Sequence, residues 1–377
     1  MSAHQTSDPT SIPGSAWWRD LGVRHPIIQA PMAGTATPEL AAAVSSAGAL
    51  GSISIASSSL QQAGTMIERT RELTDRPFNV NVFCHRPAAH DPESDTAWLG
   101  HLRPWFEELG IGTPDALSDG YTSLVAPRPD TDDEDLAQLQ LLLEHRPDVV
   151  SLHLGLPAAE RITALRNAGI TVLASVTCVE EAEQALAAGV DVLVAQGVEA
   201  GGHRGVFDPA VDPGVGVDDL VPTVAASSQT PVVAAGGLMD GDDVARMISL
   251  GASAAQLGTA FVPCPESAAD ERYRRVLAGA SQTAITRVVS GRPARGVVNR
   301  FMTEVDRPGR PETPAFAHPY SAGKALIAGA AAAGDDGFGS HWAGTGVARA
   351  RALPAADLVD VLAQELQTAL LSSRPQP

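Results

Sequence analysis

The chain is short of cysteine, of basic charge and of long apolar runs, and each shortage closes a route. Its three cysteines, Cys84, Cys178 and Cys264, are too few and too scattered for a disulfide framework or a zinc cluster. Lys and Arg together number 26 against 44 Asp and Glu, a formal net charge of −18. Nucleic acids and anionic membranes are bound through basic patches, so neither is an expected partner, and the acidity serves solubility. No stretch reaches the roughly 18 apolar residues of a membrane span. The polar opening MSAHQTSDPTSIPGS lacks the charged and apolar regions of a secretory leader. There is no Gly-x-Ser-x-Gly elbow, and Cys84-His85 has no second Cys/His pair at zinc spacing. At about 150 residues per domain, 377 residues make two domains or one large barrel with an elaboration, long enough to bury a sizeable core. The expectation is an acidic, cytoplasmic α/β protein without a metal, monomeric or homodimeric.

What the chain does have is a recurrence. Eight short apolar runs cover residues 26–32, 50–54, 78–83, 149–155, 171–176, 190–196, 231–237 and 252–259. Between most of them lie helix formers at helical spacing, such as TPELAAAVSSAG, AERITALRNAG and VEEAEQALAAG, several ending in the glycine that follows a helix. Continuous apolar runs alternating with helices read as a buried parallel sheet, and eight units predict a closed (β/α)8 TIM barrel over residues 15–265. A doubly wound open sheet is the rival. Two segments break the alternation. Residues 86–145 are too long for an ordinary crossover and read as an excursion over the barrel mouth. Within it, TDDEDLAQLQLLLEH reads as a capped helix whose acids complement its dipole rather than bind metal. Residues 266–345 carry a helical period and no strand runs, which predicts a smaller helical domain. The final segment, 346–377, closes with an amphipathic helix packed back on the barrel.

Barrel enzymes place their chemistry at the C-terminal strand ends. Here those ends carry Pro31-Met32-Ala33-Gly34, Asn79 and Asn81, His153 and Gly155, Gln196 to Gly205, Gly236-Gly237, and Gln256 to Thr259. Glycines after strands seven and eight are where a barrel holds a phosphate on backbone N–H groups; one pair alone would read as a tight turn, and two on adjacent strands favour the phosphate. With no Walker lysine, the phosphate belongs to a cofactor. Inward amides such as Asn81 and Gln196 suit the donor and acceptor edges of flavin mononucleotide (FMN). His203, between Gly202 and Gly205, is the candidate proton acceptor. His153, inside an apolar strand, reads as a core residue or one standing behind the ligand. Arg204, Arg292 and Arg295 read as interface residues.

The segments QAPMAGTATPELAAAVSSAGALGS, FNVNVFCHRP, SLHLGLP, AQGVEAGGHRGVF, PVVAAGGLMDG, QLGTAFVPCPES and SGRPARGVVNRFM stand in the order seen in nitronate monooxygenases. The chain resembles that family from about residue 20 to 365, most specifically through AQGVEAGGHRG. The resemblance implies a barrel binding FMN non-covalently under a helical roof. It implies flavin contacts from Met32, Asn81, Gln196, Gly201, Gly202, Gly236, Gly237, Gln256, Leu257, Gly258 and Thr259. It makes His203 the active-site histidine, with Tyr320 and Lys324 lining the substrate cavity. Phe316, Trp105-Phe106 and Thr345 depart from the family's pattern, and two lost hydroxyls imply a less polar pocket. The implied activity is oxidation of an alkyl nitronate, such as propionate 3-nitronate, by O2 to a carbonyl compound and nitrite or nitrate. The rivals are an NAD(P)H-dependent flavin reductase on the same fold and a barrel that has lost its flavin.

Overall fold

A computed structural model describes residues 12–118, 121–125 and 134–372. The eight apolar runs form parallel strands: β1 Ile27–Gln29, β2 Gly51–Ser54, β3 Phe78–Phe83, β4 Val149–His153, β5 Thr171–Val176 and β6 Val192–Gln196. After a two-residue strand β7, Gly202–His203, come β8 Val232–Ala235 and β9 Ala254–Leu257. The barrel order is β1-β9-β8-β6-β5-β4-β3-β2. The circle closes where Gln29 N–H donates to Leu50 O and Leu50 N–H to Ile27 O, both at 2.9 Å. That closure makes a TIM barrel and excludes the open sheet.

Local sequence explains where the surrounding helices start. Thr37 caps Pro38–Ser46, Ser59 and Gln62 form a reciprocal capping box on Leu60–Leu73, and Asp240 caps Gly241–Ser249. Each cap satisfies an N–H group that the helix itself cannot. Gly189, with φ of 88°, ends Val179–Ala188 in the left-handed conformation that glycine tolerates. The expected cap and leading acids of Glu134–His145, at 131–133, lie outside the described residues, as does the polar opening through residue 11.

The barrel interior is layered. At the bottom, Ile28, Leu50, Val149, Leu173, Val192 and Val233 pack against Trp18 of the short helix Ala16–Asp20. Trp18 Nε1–H donates to Ser253 O (2.9 Å) and Trp17 Nε1–H to Ser253 Oγ (3.1 Å), so the helix plugs the open end. Above this lies a buried polar layer. Asn79 donates to Ser52 and Ser151, Asn81 Nδ2 to Ser151, and Ser54 to Asn81 Oδ1. The cavity opens above that layer.

The region after β9 corrects one expectation: it contains strands. β10 Thr283–Thr286 and β11 Ala294–Val297 pair antiparallel, and β11 also pairs with β7. These runs are only four residues long, and ARGV carries an arginine, so no apolar run marks them. The helical part of this region shares one core with the excursion. Trp98, Leu102, Trp105 and Phe106 of the helix Pro92–Glu108 pack with Phe301, Val305, Leu326 and Phe338. The last helix, Ala355–Ser372, buries Leu358, Val359, Leu362 and Leu366 in the outer barrel core. Glu365 accepts from Gly241 N–H (2.9 Å), where a Cβ on Gly241 would sit only 2.2 Å from Leu366 N. No helix among the described residues is long and apolar enough to cross a membrane.

Removing the plug should be costly. Trp18→Ala leaves a void under the barrel and should lower unfolding free energy by about 3–5 kcal/mol, read from urea midpoints at unchanged m-value.

Candidate active site

The strand ends wall a cavity of about 1270 Å³, its open mouth included. Met32, Asn81, His153, Gln196, Gly201, Gly202, His203, Gly236, Gly237, Gln256, Gly258 and Thr259 all line it, joined from the roof by Tyr320. Two expected residues do not line it. Leu257 packs in the outer core, because alternate residues of a strand face opposite sides and Gln256 takes the inner one. Lys324 is exposed at the rim, its Nζ 5.0 Å from the Tyr121 ring centroid and 4.8 Å from that of Tyr320. It is the sole lysine of the chain.

Among the described residues the wall contains no Asp, Glu, Lys or Arg side chain. Its polar groups are amides, hydroxyls, two imidazoles and backbone, and they are held firmly. Gln196 Oε1 accepts from Arg204 Nη1–H (3.0 Å) and Gly205 N–H (2.7 Å), while its Nε2–H donates to His203 O (3.2 Å). Both Asn81 amide hydrogens are engaged by Ser151 (3.0 Å). Gln256, by contrast, shows no side-chain hydrogen bond to the described protein, leaving donor and acceptor for a ligand. Gly236 and Gly237, at φ of 133° and 71°, take conformations that side chains resist. Among the described residues no group of three or more His, Cys, Asp or Glu could hold a metal.

His203 stands on β7 amid rings. Phe316 lies 5.4 Å away, Trp342 5.6 Å, Tyr320 6.3 Å and Phe83 6.5 Å, centroid to centroid. Its Nε2 meets Ser290 Oγ at 2.8 Å. His153 Nε2–H donates to the His203 carbonyl (3.3 Å), so His153, itself part of the wall, holds the backbone that carries the second imidazole. Burial lowers the pKa of His203 to about 3, helped by His153, Arg292 and His85. Burial with Arg292 lowers that of His153 to about 4. Both imidazoles are therefore neutral at pH 7.

Arg292 and Arg295 join roof to loop, and Arg204 braces the loop itself. Arg204 binds Asp212 through Nε (2.9 Å) and Nη2 (3.2 Å), and the Gly197 carbonyl through Nη1 (2.7 Å). Arg292 donates to Val206 O, and Arg295 Nε–H to Val198 O (2.8 Å). The segment Trp342–Thr345 is tied down by Gly344 N–H to Thr259 Oγ1 (2.9 Å) and Thr345 N–H to Glu199 O (3.0 Å). A Cβ on Gly201 would sit 2.6 Å from Gly344 N, so the glycine permits that approach.

Sequence reasoning missed Tyr121. It lines the cavity, stacked 5.8 Å from Phe83 and 5.7 Å from Tyr320. It sits in the long excursion, where no periodicity flags a single residue. Trp105 and Phe106 lie in the roof core, away from the wall, and Trp105 Nε1–H donates to Glu304 (3.0 Å).

A barrel that walls an uncharged chamber with its strand ends and roofs it with a second layer is built to enclose a small organic ligand, which places the protein among the TIM-barrel enzymes. The chain belongs to the nitronate monooxygenase family, whose model matches residues 15–365. It is 51% identical over 353 residues to the nitronate monooxygenase of Paraburkholderia phytofirmans, covering 93% of this chain and 94% of that one. Identity to the Pseudomonas aeruginosa nitronate monooxygenase is 49% over 352 residues, covering 93% and 98%. Among solved structures, nitroalkane oxidase from Streptomyces ansochromogenes superposes with a TM-score of 0.83 at 39% identity, covering 95% of this chain and all of that one.

The two neutral histidines set a pH dependence. Unfolded, each protonates near 6.5; folded, only near 4 and 3. The unfolded state thus binds more protons between those values, so stability falls as pH is lowered from about 6.5 towards 4. Urea midpoints should follow that limb, and His203→Asn should make it shallower.

Proposed function

We propose that the protein is an FMN-dependent nitronate monooxygenase. It takes alkyl nitronates such as propionate 3-nitronate and O2 to a carbonyl compound with nitrite or nitrate. The observation that carries this reading is the neutral imidazole of His203, set in an aromatic box whose rim holds the only lysine. The residues fit FMN on three counts. Gln256 offers an uncommitted amide, and the second N–H of Gln196 is unspent. The glycines after β8 and β9 leave backbone open beside Thr259, a neutral phosphate cradle of the kind barrels build there. FMN, when bound, supplies the electron-accepting and oxygen chemistry that side chains lack.

The chain's own residues do the rest. A nitronate arrives deprotonated, and His203 then orients it by hydrogen bonding. From a neutral nitroalkane, His203 takes the α-proton. Tyr320, Tyr121, Phe83 and Trp342 cover the ligand and exclude water. Lys324, partly desolvated against the tyrosine rings and with a lowered pKa, faces an anionic tail at the mouth.

The deciding experiment is anaerobic mixing of the flavin-loaded protein with propionate 3-nitronate and, separately, with NADH, followed by flavin absorbance. Reduction by the nitronate with NADH inert is expected. Bleaching by NADH alone would move the protein to the reductases, and a chain that takes up no FMN would remove the flavin reading altogether. Lys324→Met should raise KM for propionate 3-nitronate about tenfold, the worth of one charge-assisted contact, and change KM for an uncharged-tail nitronate much less.

A further inference from the structure

We propose that Ser290 is a positioning residue that fixes the tautomer of His203, so that the bare Nδ1 faces the cavity as the proton acceptor. The inference rests on the reading of His203 as the cavity's base and adds which nitrogen acts and what selects it. Ser290 is fully buried on the turn between β10 and β11, directly before the strand that pairs with β7. Its Oγ lies 2.8 Å from His203 Nε2, 3.4 Å from Arg292 O and 3.5 Å from Arg292 N. One proton arrangement serves all three contacts. His203 Nε2–H donates to Oγ, Arg292 N–H donates to Oγ, and the Ser290 hydroxyl donates to Arg292 O. The reverse arrangement, with the hydroxyl donating to Nε2, leaves the buried Arg292 carbonyl without that donor. A neutral imidazole protonated on Nε2 has its lone pair on Nδ1. Nδ1 makes no hydrogen bond to the described protein and belongs to a side chain that lines the cavity.

Among the described residues, the titratable and charged groups around His203 do not supply a competing partner. From β4 comes His153, bonded to the carbonyl of His203 rather than to its ring. His85 follows β3, Arg292 precedes β11, Tyr121 belongs to the excursion, and Tyr320 and Lys324 belong to the roof helix His318–Ala333. None is a carboxylate, so a serine fills the orienting place that an acid takes in many histidine sites. In the step itself the α C–H bond breaks, its electron pair stays on the substrate as the nitronate, and the proton goes to Nδ1. The imidazolium so formed keeps Nε2–H on Ser290.

Nitrogen-15 NMR of the full chain labelled in histidine, with His203→Asn to assign the signal, reads the tautomer without turnover. Nε2 protonated and Nδ1 bare is the expected result, and Ser290→Ala should mix the two forms. Nδ1 protonated in the unmodified protein, or populations unmoved by Ser290→Ala, would overturn the assignment. Kinetics give the second readout. Ser290→Ala should cut kcat/KM for nitroethane at least tenfold more than for ethyl nitronate, which needs no proton removed. Equal losses on both would mean a merely structural serine. Unmodified protein that oxidises neither compound sinks the oxygenase reading, while the nitrogen shifts still decide the tautomer.

Discussion

A guanidinium shut away from water holds the active face together. Arg204 is fully buried, and an uncompensated charge there would cost several kcal/mol. It is compensated by Asp212 and by three oxygens of Gln196 and Gly197. Those contacts lie on either side of the loop between β6 and β7, so the loop cannot swing without breaking them. Fixing it fixes the rest. Gln196 turns its amide towards the His203 carbonyl, His153 grips the same carbonyl, and the chain continues as β7 into the sheet with β11. The imidazole is thereby located by its backbone before any ligand arrives, which is what preorganised acid–base chemistry requires.

The same arrangement explains how a second layer is attached to a barrel without a flexible joint. The roof sheet is not merely laid on the strand ends, because one of its three strands is the barrel's own loop. The segment Trp342–Thr345 then passes so close to Glu199, Gly201 and Gly237 that glycine is required at 201, 237 and 344. Thr259, expected only as a phosphate donor, also receives Gly344 N–H and so belongs to the seam as well as to the cavity.

Most of the barrel was legible because burial on both faces leaves a simple mark. Most of the eight strands are apolar runs ended by glycine or a polar residue, and all eight fall within the expected runs. The strand ends followed from the fold, which is why His203, Gln196, Asn81 and Gln256 could be placed on one rim from their positions alone. What could not be read depends on contacts between distant segments. β10 and β11 are short and half polar, and they exist because β7 offers an edge to pair with. Tyr121 reaches the cavity from a segment without periodicity. Lys324 has the right neighbours in sequence but projects at the mouth, since helix spacing fixes which face a residue shares and not how far it lies from a ligand. Leu257 is the simplest miss: a strand residue beside a cavity-facing glutamine must face the other way.

The absence of fixed charge from the cavity wall, among the described residues, suits ligands that bring their own. A carboxylate there would repel a nitronate. A cation in direct contact would bind the anion at every stage of the reaction, lowering KM without raising kcat. The cations stand further off. Lys324 is at the mouth, and Arg292 is buried behind Phe316, its charge centre 5.8 Å from that ring, with no carboxylate at ion-pairing distance among the described residues. Arg292 helps burial keep both imidazoles neutral. In the proposed proton transfer, positive charge appears on His203 in the same event that places negative charge on the substrate beside it. Each then stabilises the other in a chamber where water is scarce and the attraction is little screened. On that proposal the basicity of His203 is set by the ligand's charge rather than by a permanent acid, and the site discharges again when the anion is consumed.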